Sequence, residues 1–307
     1  MNINGKMLKK IRNEMGMNQV KFAEVLHIEQ RTLSRLENNE RGMSIWEFVN
    51  FMEMLGMSSS DFWMLYLDTE EYEGYRLYKK VRRFLDQDRM EESKLLLSDL
   101  EKSSIAKNEF VKQSISHMRI IVDNYYDREA GEEVDLEETL RNLYGLLKID
   151  DFDESKLMTR PLNLTELNIL NHIAAVYFFM NNNSRAIEVL QALYERRGLF
   201  QITEEDNVKS WPLIVTNLSS FLIAEARYDE SLELLNEALE FCRESEEMWL
   251  IPDVLLNMAK VYKLLEEDVD VYKPLLVRAY HCAHAIGRNL LTEEIRDVAL
   301  SFGIEVE

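Results

Sequence analysis

Amphipathic helical segments recur in pairs along most of this chain, and that recurrence restricts its fold more than any other feature. From about Tyr72 onward, apolar residues return at helical spacing in one segment after another. The predicted pairs are 72–85 with 90–102, 107–126 with 134–148, 164–181 with 184–197, 208–225 with 228–243 and 248–265 with 270–286, followed by a terminal helix at 291–302. A single pair cannot cover its own apolar face, so successive pairs are expected to stack on one another.

Small residues recur where the two helices of a pair are expected to cross. Ser219 and Ser231 occupy such positions in one pair, Ala174 and Ala186 in another, and Ala259 in a third. A pair every ~34 residues with small residues at the crossing resembles tetratricopeptide repeats. The resemblance implies an all-α body, namely a right-handed α-solenoid of about five helix pairs with a C-terminal helix. A plain helical bundle is the alternative.

The first ~65 residues follow a different pattern, and we predict five short helices there. Two amphipathic segments, 19–26 and 30–38, are separated only by His27, Ile28 and Glu29. The other three predicted helices are 6–15, 45–55 and a last one that starts at 59 or 60. Two short helices joined by a tight turn are typical of a helix-turn-helix, whose second helix enters the DNA major groove. We therefore predict a DNA-binding domain at 1–67 and a repeat domain at 68–307.

Charge is distributed unevenly between these two parts. The chain has a net charge of −20, which by itself argues against binding nucleic acid. Residues 1–42, however, contain eight Lys and Arg against five Glu, so the segment carries +3. A basic DNA-binding domain on an acidic body fits this distribution. The acidity also keeps a large body in solution, and both explanations can hold.

The N-terminal segment resembles the Xre class of helix-turn-helix domains found in phage repressors. The matching residues are Leu8, Ile11, Arg12, Asn18, Gln19, Phe22, Ala23, Ile28, Thr32–Asn38 and Leu55–Met57. By that resemblance, Gln19 begins the supporting helix, and the recognition helix carries Gln30, Arg31, Thr32, Ser34 and Arg35. The alternative is a helix-turn-helix kept only for dimerisation or protein contact. The chain also departs from the class at His27, where the turn often has Gly and where positive φ is expected.

The chemistry of these side chains agrees with a role in DNA recognition. Gln can form paired hydrogen bonds with adenine and Arg with guanine, while Thr offers a hydroxyl and a methyl group to thymine. Lys10, Arg12 and Arg41 are expected instead to hold phosphates, which fixes the position of the domain without reading sequence.

A helix-turn-helix followed by tetratricopeptide-like repeats resembles the Rgg/PlcR group of regulators. The run Leu33–Glu37 with Ser44, Phe48 and Phe62 is particularly similar to that group. The resemblance implies a homodimeric transcription regulator that binds operator DNA and a short signalling peptide. Two alternatives remain: a repeat domain that docks a protein partner while the DNA-binding domain localises it, and a phage-type repressor or antitoxin without a ligand.

Three asparagines fall at nearly equivalent places in the first helices of successive pairs. They are Asn171, Asn217 and Asn257. First helices line the concave face of such a solenoid, so these amides are expected to form a ladder that binds the backbone of an extended peptide. Pocket-forming neighbours are expected at Phe178, Phe221, Lys260 and Leu264. The alternative is that each Asn only ties one helix to the next. The acidic body favours an apolar or basic effector.

Other functional classes find little support in the sequence. No apolar run approaches the ~20 residues of a membrane span, and the two cysteines, Cys242 and Cys282, form no disulfide framework, so a cytoplasmic protein is expected. His281 and His284 lie one turn apart, and a packing or surface role is favoured over metal binding. No nucleophile, metal motif or phosphate loop points to an enzyme, and no cofactor is expected. Apolar residues of the terminal helix predict a dimer contact there.

Overall fold

The computed structural model is helical throughout the part it describes. It describes residues 5–42, 51, 54, 69–87, 89–129, 131, 133–153, 162–196, 204–246 and 248–306. Within these ranges there are fourteen α-helices and no strand. No helix there combines the length and apolar character needed to cross a bilayer. The helices are α1 (Gly5–Glu14), α2 (Gln19–Val25), α3 (Gln30–Glu37), α4 (Thr69–Asp86), α5 (Met90–Lys102), α6 (Glu109–Glu129), α7 (Leu136–Leu147), α8 (Leu164–Phe179), α9 (Asn183–Glu195), α10 (Glu204–Ala224), α11 (Tyr228–Glu244), α12 (Ile251–Leu264), α13 (Val269–Ala285) and α14 (Asn289–Ser301).

The chain divides into two compact units. The first comprises residues 1–83 and 94–112, and the second comprises 84–93 and 113–307. The first unit thus contains the predicted DNA-binding domain together with most of α4 and α5. The domain boundary at 67/68 remains a prediction. The predicted helices at 45–55 and from 59 or 60 lie almost wholly outside the described residues.

In the first unit, α1, α2 and α3 pack around a small apolar centre. Leu8, Phe22, Leu26, Leu33 and Leu36 are each at most 1% exposed. Leucines one turn apart on α3 bury the same face of that helix, so the opposite face is left to solvent. The sequence prediction of three short helices at these positions is confirmed.

Local backbone chemistry determines where α2 begins and ends. The Asn18 side chain accepts a hydrogen bond from the Lys21 N–H at 2.9 Å, which confirms the predicted N-cap. His27 follows α2 with φ of +51°, which confirms the predicted left-handed turn. A side chain other than Gly in this conformation costs some stability, so the turn is strained relative to its glycine counterpart.

The second unit contains stacked helix pairs. The predicted helices agree with the observed ones within a few residues at each end, and three of the predicted pairs are confirmed as packed pairs: α8 with α9, α10 with α11 and α12 with α13. Close crossings occur at the predicted small residues. The Ser219 and Ser231 hydroxyls lie 3.0 Å apart, and both side chains are fully buried. Ala174 and Ala186 are also fully buried, in the preceding pair. Larger side chains at these positions would force the helices apart.

First helices of successive pairs pack directly on one another and form an inner layer. Helix α8 packs on α10, and α10 on α12. The second helices α9 and α11 meet through a long side-chain contact, in which the Tyr194 hydroxyl donates to Glu237 at 2.7 Å. In a curved repeat array, the layer whose helices pack directly on one another is expected on the concave side, and here that layer is formed by the first helices.

The terminal helix α14 closes the apolar core at the end of the array. Leu291 and Ile295 are buried against α12 and α13, and the chain beyond α14 adds Ile304. Leu290 and Leu300 on the same helix are 48% and 57% exposed. Part of the apolar content of α14 is therefore used inside the chain, and these two leucines remain on the surface.

A buried histidine pair joins α6 to α8. His117 Nε2 lies 3.2 Å from His172 Nδ1, so one ring donates a hydrogen bond to the other. Burial, and secondarily the neighbouring His172 ring, lowers the pKa of His117 to about 3. His117 is therefore neutral in the folded protein at neutral pH.

This pair predicts that the second unit loses stability in mild acid. The unfolded His117 takes up a proton below its ordinary pKa of about 6.5, but the folded one does not. Stability is therefore fully present above pH ~6.5 and falls by up to about 1.4 kcal/mol for each pH unit as the pH drops toward 3. Urea unfolding followed by tryptophan fluorescence should show a steeper loss for the wild type than for His117→Gln. An exposed control, His281→Gln, should behave like the wild type; equal pH profiles for all three proteins would contradict the prediction.

Candidate nucleic-acid interface and effector groove

Helix α3 presents a polar face above its buried leucines. Gln30, Arg31 and Arg35 are exposed, and Thr32 and Ser34 are half-buried. Because Leu33 and Leu36 are inside, the side chains between them must point outward. Hydrogen-bonding groups that can read base edges are thus displayed on one short, rigid helix. Their contacts with bases remain a prediction.

A buried ion pair holds α1 to α3. Arg12 Nε donates to Glu37 Oε1 at 2.6 Å and Nη2 donates to Oε2 at 3.2 Å, and the two side chains are 10% and 2% exposed. Arg12 Nη1 also donates to the Met17 carbonyl at 3.0 Å. These bonds occupy the guanidinium on the inside of the domain. The structure therefore corrects the prediction for Arg12: it fixes the frame of the helix-turn-helix and does not project toward phosphate.

Gln19 belongs to the same network. Its Nε2 donates to Glu37 Oε2 at 2.8 Å, and the side chain is half-buried. The Glu37 carboxylate, at the end of α3, thus binds both the last turn of α1 and the start of α2. The side-chain oxygen of Gln19 remains available to accept a bond, so a DNA contact by Gln19 stays a prediction alongside its structural role.

Lys10 is paired on the surface of the same unit. Its Nζ lies 2.6 Å from Glu73 Oε1 on α4, with the side chains 34% and 49% exposed. The hydrogen bond between them raises the pKa of Lys10 and lowers that of Glu73. Exposed pairs of this kind contribute at most about 1 kcal/mol, so phosphate can replace Glu73 as the partner. Arg41, just beyond α3, is partly exposed.

We expect removal of one partner of the Arg12–Glu37 pair to destabilise the helix-turn-helix strongly. Glu37→Ala leaves a buried guanidinium without its partner, which costs about 3–5 kcal/mol. Hydrogen exchange of residues 5–42 in the full chain should show strongly reduced protection for this variant. The double variant Arg12→Met with Glu37→Leu should recover most of the protection, because apolar replacements remove both buried charges. Glu24→Ala, at an exposed site on α2, is the control; wild-type protection in Glu37→Ala would contradict the assignment.

Two of the three predicted asparagines meet in the inner layer. Asn217 Nδ2 donates to Asn171 Oδ1 at 3.0 Å, and both side chains are half-buried. Within the described structure, Asn171 Nδ2 and Asn217 Oδ1 have no hydrogen-bond partner. The linked amides therefore retain one donor and one acceptor, the two functions that a peptide backbone can satisfy.

Asn257 occupies a different environment, and here the structure supports the alternative that the sequence left open. It is 5% exposed, and its Nδ2 donates to Ser220 Oγ at 2.8 Å and to the Thr216 carbonyl at 3.2 Å. Its amide nitrogen ties α12 to α10 inside the core. Asn257 is therefore a structural tie rather than a member of an open ladder, since buried amides need internal partners.

The predicted pocket residues also separate into buried and accessible groups. Phe221 is 4% exposed and stacks on the half-buried Phe178 with ring centroids 4.6 Å apart. Lys260 Nζ contacts Glu294 at 3.2 Å, and Leu264 is 49% exposed. Phe178 can thus contact a ligand with Phe221 supporting it from behind, while Lys260 is partly neutralised by α14.

Sequence patterns did not reveal several residues that shape these sites. Glu37 belongs to the segment that matches the Xre class, but no spacing links it to Arg12, and only the fold brings the two side chains together. Ser220 and Thr216 gave no signal as partners of Asn257. His117 and His172 are 55 positions apart, and no spacing rule connects them. Each of these pairs joins different helices, so local periodicity contains no information about it.

Comparison with known proteins agrees with this organisation. A helix-turn-helix family model, HTH_3, matches residues 8–48. A search of curated proteins finds no match to the chain. The family model covers most of α1 and all of α2 and α3, so the chain has a helix-turn-helix domain of the Xre type.

Solved structures share the fold over nearly the whole chain. Bacillus thuringiensis PlcR, in complex with the peptide PapR7 and DNA, is 19% identical with a TM-score of 0.69, covering 96% of this chain and 99% of that one. ComR from S. thermophilus, in complex with DNA and its signalling peptide ComS, is 15% identical with a TM-score of 0.58, covering 98% and 99%. Streptococcus dysgalactiae Rgg2, an SHP pheromone receptor, is 15% identical with a TM-score of 0.52, covering 95% and 97%. The architecture is that of these regulators and receptors.

Proposed function

We propose that this chain is a transcription regulator that binds operator DNA through α3 and changes that binding when its repeat domain takes up a short peptide. The observation that carries the proposal is the recognition helix. Its polar side chains are exposed on a domain whose frame is fixed by a buried ion pair. A readout surface on a rigid support is what base recognition requires.

The proposed contacts divide into base readout and phosphate binding. On α3, Gln30, Arg31 and Arg35 are exposed and Thr32 is half-buried, and we assign base readout to these four side chains. Lys10 and Arg41, outside that helix, suit phosphate contacts that position the domain. One such domain reads few base pairs, so two copies on half-sites about one helical turn apart supply the specificity.

The DNA contact is tested first by finding the preferred duplex and then by substitution. Selection from random duplexes with the full chain gives the operator. Arg31→Ala should then weaken operator binding by about 1–3 kcal/mol and relax preference at one base position. The control is Lys112→Ala, which removes an exposed cation outside the helix-turn-helix. This variant should keep both the operator affinity and the sequence preference of the wild type. Full affinity and unchanged preference in both Arg31→Ala and Arg35→Ala would contradict the role of α3.

The peptide arm of the proposal is supported by the fold and by the amides of the inner layer. Two of the structural relatives are in complex with peptides: PlcR with the peptide PapR7, and ComR with its signalling peptide ComS. In this chain, Asn171 and Asn217 offer a donor and an acceptor on adjacent first helices, and Phe178 lies in the same layer. Backbone-directed amides with aromatic pockets fit an extended peptide. Because the chain is strongly acidic, the proposed peptide is apolar or basic.

Removing the accessible amide should separate effector response from folding. Asn171→Ala deletes a donor that the fold leaves unused and also the acceptor for Asn217 Nδ2, a half-buried bond whose loss the fold should tolerate. We therefore expect operator binding to persist. The response to the peptide fraction of host culture medium should weaken at least about tenfold, as a lost hydrogen bond of ~1.4 kcal/mol would produce. Operator affinity is measured by fluorescence anisotropy with and without that fraction. Asn236→Ala, an exposed amide on α11, is the matched control. A wild-type response in Asn171→Ala would remove Asn171 from the site.

Dimerisation and location follow from the same proposal. Leu290 and Leu300 are exposed on α14, and Leu265 is exposed just beyond α12, so apolar surface is present at the end of the array. We assign the contact between two copies to these residues, because two DNA-binding domains must be held together to read a two-part site. A regulator of this kind acts on the chromosome, which places it in the cytoplasm.

A further inference from the structure

Helix α4 contains the densest group of cations in the chain. Between Arg76 and Arg83, five of eight residues are Lys or Arg and none is acidic. The acidic residues at the start of the helix, Glu70, Glu71 and Glu73, precede this run. In a chain with a net charge of −20, such a run is a strong local exception.

Four of these cations lie on one face of α4. Arg76, Lys79, Lys80 and Arg83 follow the spacing of three, four and seven residues that aligns side chains along a helix, and all four are exposed. The four positions span about 10 Å of helix axis. The apolar residues of α4 are placed elsewhere, and Val81 is fully buried.

This face continues onto α1. Glu73 contacts Lys10 at 2.6 Å and lies 3.8 Å from Arg76, so it bridges the two helices. Lys6 and Lys9 are exposed on α1, within one turn of Lys10. We call the combined surface the basic strip; it comprises Lys6, Lys9, Lys10, Arg76, Lys79, Lys80 and Arg83. All of it belongs to the unit that contains the helix-turn-helix.

We propose that the basic strip binds the phosphate backbone of DNA that flanks the bases read by α3. The inference rests on the proposed DNA-binding function and extends it to a second contact surface. Duplex DNA carries one charge per strand for every ~3.4 Å of axis, so the face of α4 can oppose about three phosphates of one strand. The acidic remainder of the chain repels DNA, and the strip offsets that repulsion next to the reading helix.

DNA fits this surface better than a membrane. A helix that lies on a lipid surface inserts its apolar face into the bilayer while its cations meet the headgroups. On α4 that insertion is blocked, because Val81 and Phe84 are 0% and 6% exposed within the chain. The strip presents mainly cations, with Glu73 lying between Lys10 and Arg76. Its excess of positive charge matches a polyanion, and DNA does not require an apolar face to be inserted.

The test compares the salt dependence of DNA binding in two variants with the same charge change. The strip variant is Arg76→Gln, Lys79→Gln, Lys80→Gln and Arg83→Gln. The control variant neutralises four exposed cations elsewhere, Lys112→Gln, Lys148→Gln, Lys273→Gln and Arg278→Gln. Each is measured on the selected operator alone and on the same operator extended by about 10 base pairs on each side, one helical turn. Circular dichroism verifies that the helices are retained.

For the extended duplex, the strip variant should show a log–log salt slope shallower by about 2–4, since each phosphate contact contributes ~0.9. Its preference for the operator sequence should be unchanged, and the advantage of the extended duplex over the short one should disappear. The control variant should keep the wild-type slope and that advantage.

Any one of four outcomes would overturn the proposal. A wild-type slope in the strip variant, or an equal loss in the control variant, would show that the strip makes no specific contact. Loss of binding to phosphatidylglycerol vesicles by the strip variant, with DNA binding intact, would assign the strip to lipid. If the wild type itself selects no sequence, the proposed function fails together with the strip; if it does select an operator and only the strip result is negative, the function stands.

Discussion

The architecture depends on one constraint: no helix pair in this chain can cover its own apolar face. Burial of apolar surface contributes about 25 cal/mol per Å², so each pair gains stability only by stacking on the next. The stacking needs close approach, which the fully buried Ala174, Ser219 and Ala259 allow. The buried side chains of the array form two clusters, and the half-buried Leu239, Tyr262 and Leu275 pack against both. The result is an array in which the first helices α8, α10 and α12 form an inner layer.

Burial also decides which polar groups can act as sites. A polar group inside a core must be satisfied, and the structure uses Glu37 for Arg12 and Ser220 for Asn257 in this way. Arg12 and Asn257 are therefore not expected to contact a ligand, although their residue types had led to that prediction. Arg31 on α3 and Asn171 in the inner layer keep unused hydrogen-bonding capacity. The division between frame and site therefore follows from burial, and residue type alone does not determine it.

The sequence predicted the helices well because their information is local. Spacing of apolar residues placed the five pairs within a few residues, Asn18 marked the start of α2, and His27 marked a left-handed turn. The sites were harder, because their partners come from different helices. No residue near Arg12 in the sequence indicates that Arg12 forms a buried ion pair with Glu37. The amide of Asn257 could equally bind a ligand or another helix, and the residue type does not decide between these roles. The spacing of apolar residues predicts which face of each helix is buried. Which side chains of two helices meet depends on how the helices pack.

Native mass spectrometry of the chain purified from its own host, mixed with its selected operator duplex, tests the central claim most directly. The account predicts a complex of two chains and one duplex, with a small added mass on each chain from one short, extended peptide bound to the inner helical layer. It also predicts that the proportion of DNA-bound chain changes when that peptide is removed. A single chain on every duplex, with no added mass in any state and the same DNA occupancy throughout, would contradict the account.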